Sequence, residues 1–332
     1  MSEATLTQGR IFRFWLPLAA TWLMMAVEGP FLAAVIARLS EPTYNLAAYG
    51  VAFSLALVVE APVIMLMSAA TALARNRLSY IRLRTFTHVL NASVTLSMGV
   101  ALLPPVFEAI AYGLIGLPTE VAIRAHIALL ILLPWPAAIG TRRLYQGVLI
   151  RHRLTRRVAY GTVVRLAAMF GTAFILAHDG RIEGAWVGAA ALTMGVSAEA
   201  AASRLMASGA LRKLMKVPGE ATGAAASWIA LTRFYYPLAL TTLLSLGIHP
   251  VVTFFVGNSR MPLESLAVLP VIGSLVFIFR SLGLAYQEVV IALIGDEQEG
   301  YVPLRTFGIL LSLSLIHISE PTRPTRASRM PS

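Results

Sequence analysis

The sequence predicts an all-α polytopic membrane protein, a class supported by its composition, the length of its apolar runs and the placement of its charges. Hydrophobic residues make up 57% of the 332 positions, charged residues only 13%, and mean hydropathy is +0.73. Soluble domains carry about 25% charged residues, so this chain has too few to cover a water-facing surface. Its apolar runs reach about 20 residues or more, the length that a helix needs to cross roughly 30 Å of hydrocarbon.

Eight such runs and the beginning of a ninth divide the chain into spans joined by short polar connections. The first run follows Arg10 and Arg13 and is long, so we expect a retained helix rather than a cleaved signal. The predicted spans are 11–39, 46–73, 86–115, 121–149, 158–178, 182–207, 227–257, 263–294 and a ninth starting near 302.

Basic residues are concentrated in alternate connections between these spans. The basic residues of the second, fourth and sixth connections are Arg75, Arg77, Arg82 and Arg84, then Arg151, Arg153, Arg156 and Arg157, then Arg212, Lys213 and Lys216. The odd connections carry fewer basic residues, each with an acidic residue nearby. By the positive-inside rule this pattern places the N-terminus in the cytoplasm of a multi-pass protein of the inner (plasma) membrane.

Several function classes are excluded by composition and by missing motifs. The net charge of +11 comes from short clusters between apolar runs, not from an aromatic-interleaved stripe, so we expect no nucleic-acid partner. The chain has no Cys, which excludes disulfides and thiol catalysis. It also lacks Walker A, HExxH and Gly-x-Ser-x-Gly patterns. We therefore expect no enzyme, no resident metal and no cofactor.

An internal repeat divides the chain into two halves. At an offset of 220 positions, Phe14, Pro17 and Leu18 match Phe234, Pro237 and Leu238, and the second span matches the eighth without a gap. At an offset of 221, 83–86 matches 304–307. Six spans per repeat indicate parallel halves, an arrangement common in transporters. The predicted domains are a six-helix lobe at 1–208, a cytoplasmic linker at 209–226 and a partial second lobe at 227–312.

The last residues differ in character from the rest. From Leu313 the sequence reads Leu-Ser-Leu-Ile-His-Ile-Ser-Glu-Pro-Thr-Arg, which resembles the translation of a transposase-type sequencing-library adapter. A basic Pro/Ser-rich tail is the alternative. We expect 313–332 to be non-native and the second lobe to be truncated after about three helices, which would leave helix faces without partners.

Short motifs resemble those of the multidrug and toxic compound extrusion (MATE) family within the multidrug/oligosaccharidyl-lipid/polysaccharide (MOP) flippase superfamily. Phe14-x-x-Pro17-Leu18 and its repeat copy carry the resemblance, and Glu28-Gly29 with 48–55 is similar to the progressive ankylosis protein branch. The resemblance covers residues 10 to about 312. It implies two six-helix lobes around a central cavity, alternating access, and transport of an organic solute coupled to H⁺ or Na⁺. For this branch the expected solute is an anionic metabolite.

Ionisable residues inside spans are functional candidates, because each costs about 2.5–3.5 kcal/mol on insertion scales. Glu28 precedes Gly29-Pro30, where the proline removes a backbone donor and is expected to break the helix. In the repeat His249 matches Gly29, and it precedes Pro250, which matches Pro30. We expect Glu28 and His249 to serve ion coupling and Pro30 and Pro250 to be helix breaks. The alternatives are a solvated Glu28 and a His249 hydrogen-bonded at the kink.

Glu60 and Arg280 are also 220 positions apart, so the repeat places them at equivalent points of the two lobes. An opposite-charge pair there would act as a cavity gate, or Arg280 would receive an anionic substrate. A static ion pair between the lobes is equally compatible. We expect Arg165 and Glu199 to be ordinary inter-helix partners, and Arg142 and Arg143 to snorkel toward the cytoplasmic end.

The function that these features predict is a monomeric secondary active transporter of the antiporter or exporter type. A flippase for a lipid-linked substrate is the first alternative and would need a larger, more cationic cavity. A membrane-embedded enzyme using Glu28 and His249 is the second, disfavoured by the repeat and by the lack of a clustered motif.

Overall fold

The described chain is helical, and no strand occurs within residues 6–219, 223–294 and 299–319, the part that the computed structural model describes. Within these described ranges there are thirteen α-helices, one π-helix, Ala109–Ile115, and one 3-10 turn, Gly223–Ala225. The α-helices are α1 Gln8–Ala26, α2 Glu28–Ile36, α3 Pro42–Ile64, α4 Leu66–Leu73, α5 Arg77–Ala101, α6 Pro104–Glu108, α7 Thr119–Ile131, α8 Trp135–Arg151, α9 Thr155–His178, α10 Gly184–Leu214, α11 Trp228–Gly257, α12 Pro262–Leu293 and α13 Tyr301–Ser319.

Seven segments of the described chain are long and apolar enough to cross a membrane. They are Gln8–Ile36, Pro42–Leu73, Thr119–Arg151, Thr155–His178, Gly184–Leu214, Trp228–Gly257 and Pro262–Gln287. An eighth arises if Arg77–Ala101 and Pro104–Ile115, bent by 73° at their junction, count as one broken span. The prediction of an all-α polytopic membrane protein is therefore confirmed. Tyr301–His317, at the position of the predicted ninth span, is a shorter apolar helix.

Local sequence explains where several of these helices begin. Asn76 accepts a hydrogen bond from the Ser79 amide, and the Ser79 hydroxyl accepts one back from the Asn76 amide, forming a capping box for α5. Pro42 stands at the first position of α3, where its missing N–H costs nothing.

The two predicted helix breaks differ. Ahead of Pro30 the only interruption is at Val27, which separates α1 from α2 but keeps a right-handed helical backbone (φ −69°, ψ −21°), and Gln8–Ile36 remains one span. At Pro250 the prediction of a break is wrong, because α11 runs from Trp228 through Pro250 to Gly257. A proline removes one hydrogen bond, and a membrane helix tolerates that loss when the remaining bonds hold.

The chain forms two compact units. Unit 1 comprises the described residues of 1–26 and 275–332, and unit 2 comprises those of 27–274. A small core in unit 1 joins Ile11, Trp15 and Ala19 to residues of α12 and α13. These units reflect packing, whereas the predicted lobes reflect the repeat, so the lobe boundaries stay a prediction. Helix α13 includes 313–319, and 320–332 lie outside the described residues.

Helix limits repeat at the offset seen in the sequence. Helices α1 and α11 begin at Gln8 and Trp228, and α3 and α12 begin at Pro42 and Pro262, each pair 220 positions apart. The ends of α4 and α12, Leu73 and Leu293, have the same separation. Leu and Ala can match by chance in any two apolar sequences, but composition alone does not make helix limits coincide. The matched limits therefore support the internal repeat.

Packing inside each unit repeats as well. In unit 2, the Tyr235 hydroxyl of α11 donates to the Pro62 carbonyl at 2.5 Å, and its ring meets Phe86 edge-on at 5.1 Å. The same contacts occur in unit 1, where Trp15 Nε1 of α1 donates to the Leu282 carbonyl at 3.3 Å. The Trp15 ring meets Phe307 edge-on at 5.9 Å.

These contacts connect residues that the repeat makes equivalent. Trp15 and Tyr235 are repeat mates, as are Pro62 and Leu282, and Phe86 matches Phe307 at the offset of 221. The first helix of each predicted half therefore packs on the second and third spans of the other predicted half.

In unit 2 the odd-numbered connections between spans lie together, and the even-numbered connections lie together elsewhere. Arg124 forms ion pairs with Glu41, with Glu120 at 2.8 Å and with Glu183 at 3.2 Å, which ties together the first, third and fifth connections. Residues of the second, fourth and sixth connections instead line one basic pocket. Odd and even connections are thus grouped separately, as the alternating charge pattern predicts.

Candidate functional site

Five buried charged side chains of unit 2 and the half-buried Arg143 form a group between membrane-spanning helices, which we name the buried charge cluster. Its members are Glu28 on α2, Glu60 on α3, Arg142 and Arg143 on α8, Arg165 on α9 and Glu199 on α10. Three carboxylates and three guanidiniums balance in formal charge. Opposite charges are the usual means by which a membrane interior accommodates ionised groups.

Arg165 joins two of the carboxylates. Its Nη2 donates to Glu28 Oε2, and its Nη1 lies 3.7 Å from Glu199 Oε2. The side chains of Glu28 and Arg165 are only 8% and 9% exposed, so solvent screens this pair little. The alternative of a solvated Glu28 is therefore wrong.

Among the three carboxylates of the buried charge cluster, Glu199 accepts the most hydrogen bonds. Arg142 Nη1 donates to its Oε2 at 2.5 Å, and Gln146 Nε2 donates to its Oε1 at 3.0 Å. Arg142 and Gln146 are four residues apart on α8, so they lie on the same helix face. Snorkelling was the wrong expectation for Arg142, whose side chain is 4% exposed and points to Glu199.

Glu60 differs from the other two carboxylates. It is buried, and its Oε2 has no hydrogen-bond partner within the described part of unit 2. Its charged neighbours there are Arg142, Arg143 and Arg165. Arg280 lies on α12 in unit 1 and is exposed, so the proposed pairing of Glu60 with Arg280 stays a prediction.

Several polar atoms of the buried charge cluster lack partners. Among the described residues, no hydrogen bond reaches Glu28 Oε1 or the Nε atoms of Arg142, Arg143 and Arg165. Buried polar atoms are nearly always hydrogen-bonded in protein interiors, which makes this group a candidate site. This group of atoms offers both donors and acceptors.

His249 is not a member of the buried charge cluster. It is half-buried on α11, next to Pro250. Its role in ion coupling stays a prediction. Within the described residues, no group of three or more His, Asp or Glu side chains is placed to hold a metal ion.

Part of the buried charge cluster was accessible from the sequence. Arg165 and Glu199 stand inside predicted spans, and the spacing of Arg142 and Gln146 places them on one face. Their convergence on Glu199 was missed, because no local pattern tells which helix faces meet.

Comparison of the chain with protein-family models, curated proteins and solved structures found no match.

Proposed function

We propose that this chain is a MATE-like secondary active transporter that moves an organic solute across a membrane by alternating access. The observation that carries the proposal is the internal repeat, which appears in the helix limits and in the matched contacts of Tyr235 and Trp15. Repeated halves are typical of transporters, because two similar packings of related halves give two states of similar energy. We place the N-terminus in the cytoplasm and the protein in the inner (plasma) membrane, following the basic connections.

The buried charge cluster supplies the means of coupling. A proton on Glu28 would remove the charge that holds Arg165 Nη2, and this guanidinium would then be free to bind Glu199 more closely or the anionic group of a solute. A cation such as Na⁺ near the Glu28 carboxylate would compete with Arg165 in the same way. In this proposal the solute is anionic and the coupling ion is H⁺ or Na⁺.

Flux measurements test the proposal. The full chain is reconstituted in liposomes, and uptake of radiolabelled mono-, di- and tricarboxylates and of organic cations is followed with an imposed pH gradient, an imposed Na⁺ gradient or neither. We expect gradient-dependent flux of at least one solute. Glu28→Gln should retain downhill exchange and lose its dependence on the gradient. Glu264→Gln, an exposed carboxylate on α12, is the matched control and should behave as the wild type.

Two outcomes count against the proposal. Gradient coupling that survives in Glu28→Gln would remove Glu28 from the mechanism. Absence of protein-dependent flux for every solute, in liposomes where the chain is folded by circular dichroism, would contradict the transporter itself.

A further inference from the structure

A basic pocket lies where the even connections of unit 2 meet, and the proposed transport mechanism does not use it. Its volume is about 440 Å³. The residues that line it are Thr71, Ala74, Arg75, Arg151, His152, Lys213, Leu214 and Val217. Arg75, Arg151 and Lys213 are exposed, and they come from the ends of three different helical segments. We name this feature the basic pocket.

Two of its arginines are held in place by the backbone. Arg151 Nη1 donates to the Thr71 carbonyl at 2.9 Å, and Arg75 Nε donates to the Ala72 carbonyl at 3.2 Å. These carbonyls belong to the last turn of α4. The last carbonyls of a helix have no N–H partner within the helix, so they are open to a side-chain donor. Each guanidinium keeps further N–H groups that these bonds do not use. These bonds therefore orient both arginines and leave guanidinium N–H groups available to bind a ligand.

The local charge favours an anion. Helices α4, α8 and α10 end at this pocket, and each C-terminus contributes roughly half a negative charge. Arg75, Arg151 and Lys213 supply three full positive charges, which exceed that sum. No Asp or Glu lines the pocket, and none of the three cations forms an ion pair with a carboxylate of the described chain. Within the described residues, no carboxylate neutralises this excess positive charge.

We propose that the basic pocket binds a phosphate group, carried either by an anionic phospholipid or by a soluble phosphate. Guanidinium forks match the geometry of phosphate oxygens, and the lysine adds a point charge. The location at helix ends that carry the basic connections suits a headgroup at the membrane surface, where such pockets between spans bind anionic lipids. The proposal does not depend on the transport function.

Binding measurements on the full chain in an uncharged detergent test this assignment. One arm titrates inorganic phosphate and follows the melting temperature. The other adds phosphatidylglycerol, with phosphatidylcholine as the comparison, and counts bound lipid by native mass spectrometry. Binding of inorganic phosphate identifies a soluble ligand as sufficient, whereas binding of phosphatidylglycerol alone assigns the site to lipid. Failure of both ligands to bind overturns the proposal.

Matched lysine variants separate a site from diffuse surface charge. Lys213→Gln removes a charge that lines the pocket. Lys216→Gln removes an exposed charge just after the end of α10, outside the pocket. We expect Lys213→Gln to weaken binding about fivefold and Lys216→Gln to change it by less than about twofold. An equal loss in both variants overturns the proposal. Arg75→Gln, which keeps the bond from its backbone amide to Ser79, is a second pocket variant with the same expectation.

Discussion

The ion pair between Glu28 and Arg165 shows how a single residue in this protein depends on distant ones. The two side chains are 137 positions apart in the chain and are both buried. A charge in such a place is tolerated because it has a partner, and removing the partner leaves it unpaired in a medium of low dielectric constant. The effect of a substitution is therefore decided by the charge that it leaves behind.

A double-mutant cycle on this pair should be strongly non-additive. We expect Arg165→Gln to lower the free energy of unfolding by about 3–5 kcal/mol, because Glu28 then loses its guanidinium partner. The double variant Glu28→Gln/Arg165→Gln should be more stable than the sum of the single effects by about 1–3 kcal/mol. Unfolding by sodium dodecyl sulfate from mixed micelles measures these differences. Arg38→Gln, on an exposed residue, should change stability by less than about 0.5 kcal/mol. Additive single effects would show that the pair does not interact.

The Arg124 group gives the protein a pH dependence at the odd connections. Burial favours the neutral form of Glu183, but hydrogen bonds from Asn45 and Arg124 and the charge of Arg124 outweigh it and lower the pKa of Glu183 below 4.5. A carboxylate with a lowered folded-state pKa contributes stability that is present above its unfolded-state pKa and lost as pH falls through the folded value. Stability from Glu183 should thus be complete above pH of about 5 and decline below it.

Melting temperatures of the wild type and of Glu183→Gln between pH 7 and pH 3 measure this dependence. The variant should be less stable at neutral pH, and the difference should shrink toward acidic pH. Glu264→Gln, with an exposed carboxylate outside the Arg124 group, should follow the wild-type curve. A difference between Glu183→Gln and wild type that is constant with pH would contradict the assignment.

At the scale of elements, helix pairs in unit 2 approach closely where one of them carries glycine. Gly147 of α8 faces α4, and a Cβ added there would lie 2.5 Å from the Ala70 Cβ and 2.5 Å from the Met67 carbonyl oxygen. Small residues at such crossings let backbones pack directly, which is a main source of helix association in membranes.

Gly147→Ala should therefore separate α4 from α8. We expect a loss of about 1–3 kcal/mol in the free energy of unfolding, as for other overpacked cores. Gly171→Ala on α9 is the matched control, since a Cβ at Gly171 has no neighbour within 4 Å. That control should stabilise the helix by about 0.5–1 kcal/mol. The same detergent unfolding assay distinguishes the two, and equal effects would contradict the close packing at Gly147.

At the scale of the whole molecule, the first helix of each half packs on spans of the other half. Helix α11 lies along α3, where the Thr242 hydroxyl donates to the Ala61 carbonyl at 2.8 Å. If the halves rock during transport, this helix pair belongs to the surface that must rearrange.

A disulfide between α3 and α11 should arrest transport. The chain has no Cys, so Ala61→Cys/Thr242→Cys introduces one defined pair without background. We expect oxidation to abolish flux in liposomes and reduction to restore it, while each single-cysteine variant transports with or without oxidant. Full flux in the cross-linked protein, with the bond verified by mass spectrometry, would show that α3 and α11 do not separate.

The sequence alone determined the helices and their approximate limits, and it predicted the repeat. A span is a local property, because in a bilayer the backbone must satisfy its own hydrogen bonds within each segment. That requirement makes about 20 consecutive apolar residues a sufficient signal. The capping residues of α5 and the proline at the start of α3 are equally local. Breaks were predicted at Pro30 and Pro250 for this reason. The single-residue interruption at Val27 and the unbroken helix through Pro250 show that a proline alone does not decide whether a helix ends.

Only the tertiary structure decided which helix faces meet. It brought Glu28 to Arg165 and Glu199 to Arg142, and it placed Tyr235 against Pro62. In a soluble protein the apolar stripe of a helix identifies its inner face, whereas a membrane helix is apolar on the lipid side too. The rotation of each span about its axis is therefore not written in its hydrophobic pattern. It is set by packing among helices that are distant in the chain, and that packing places the buried charges of this protein.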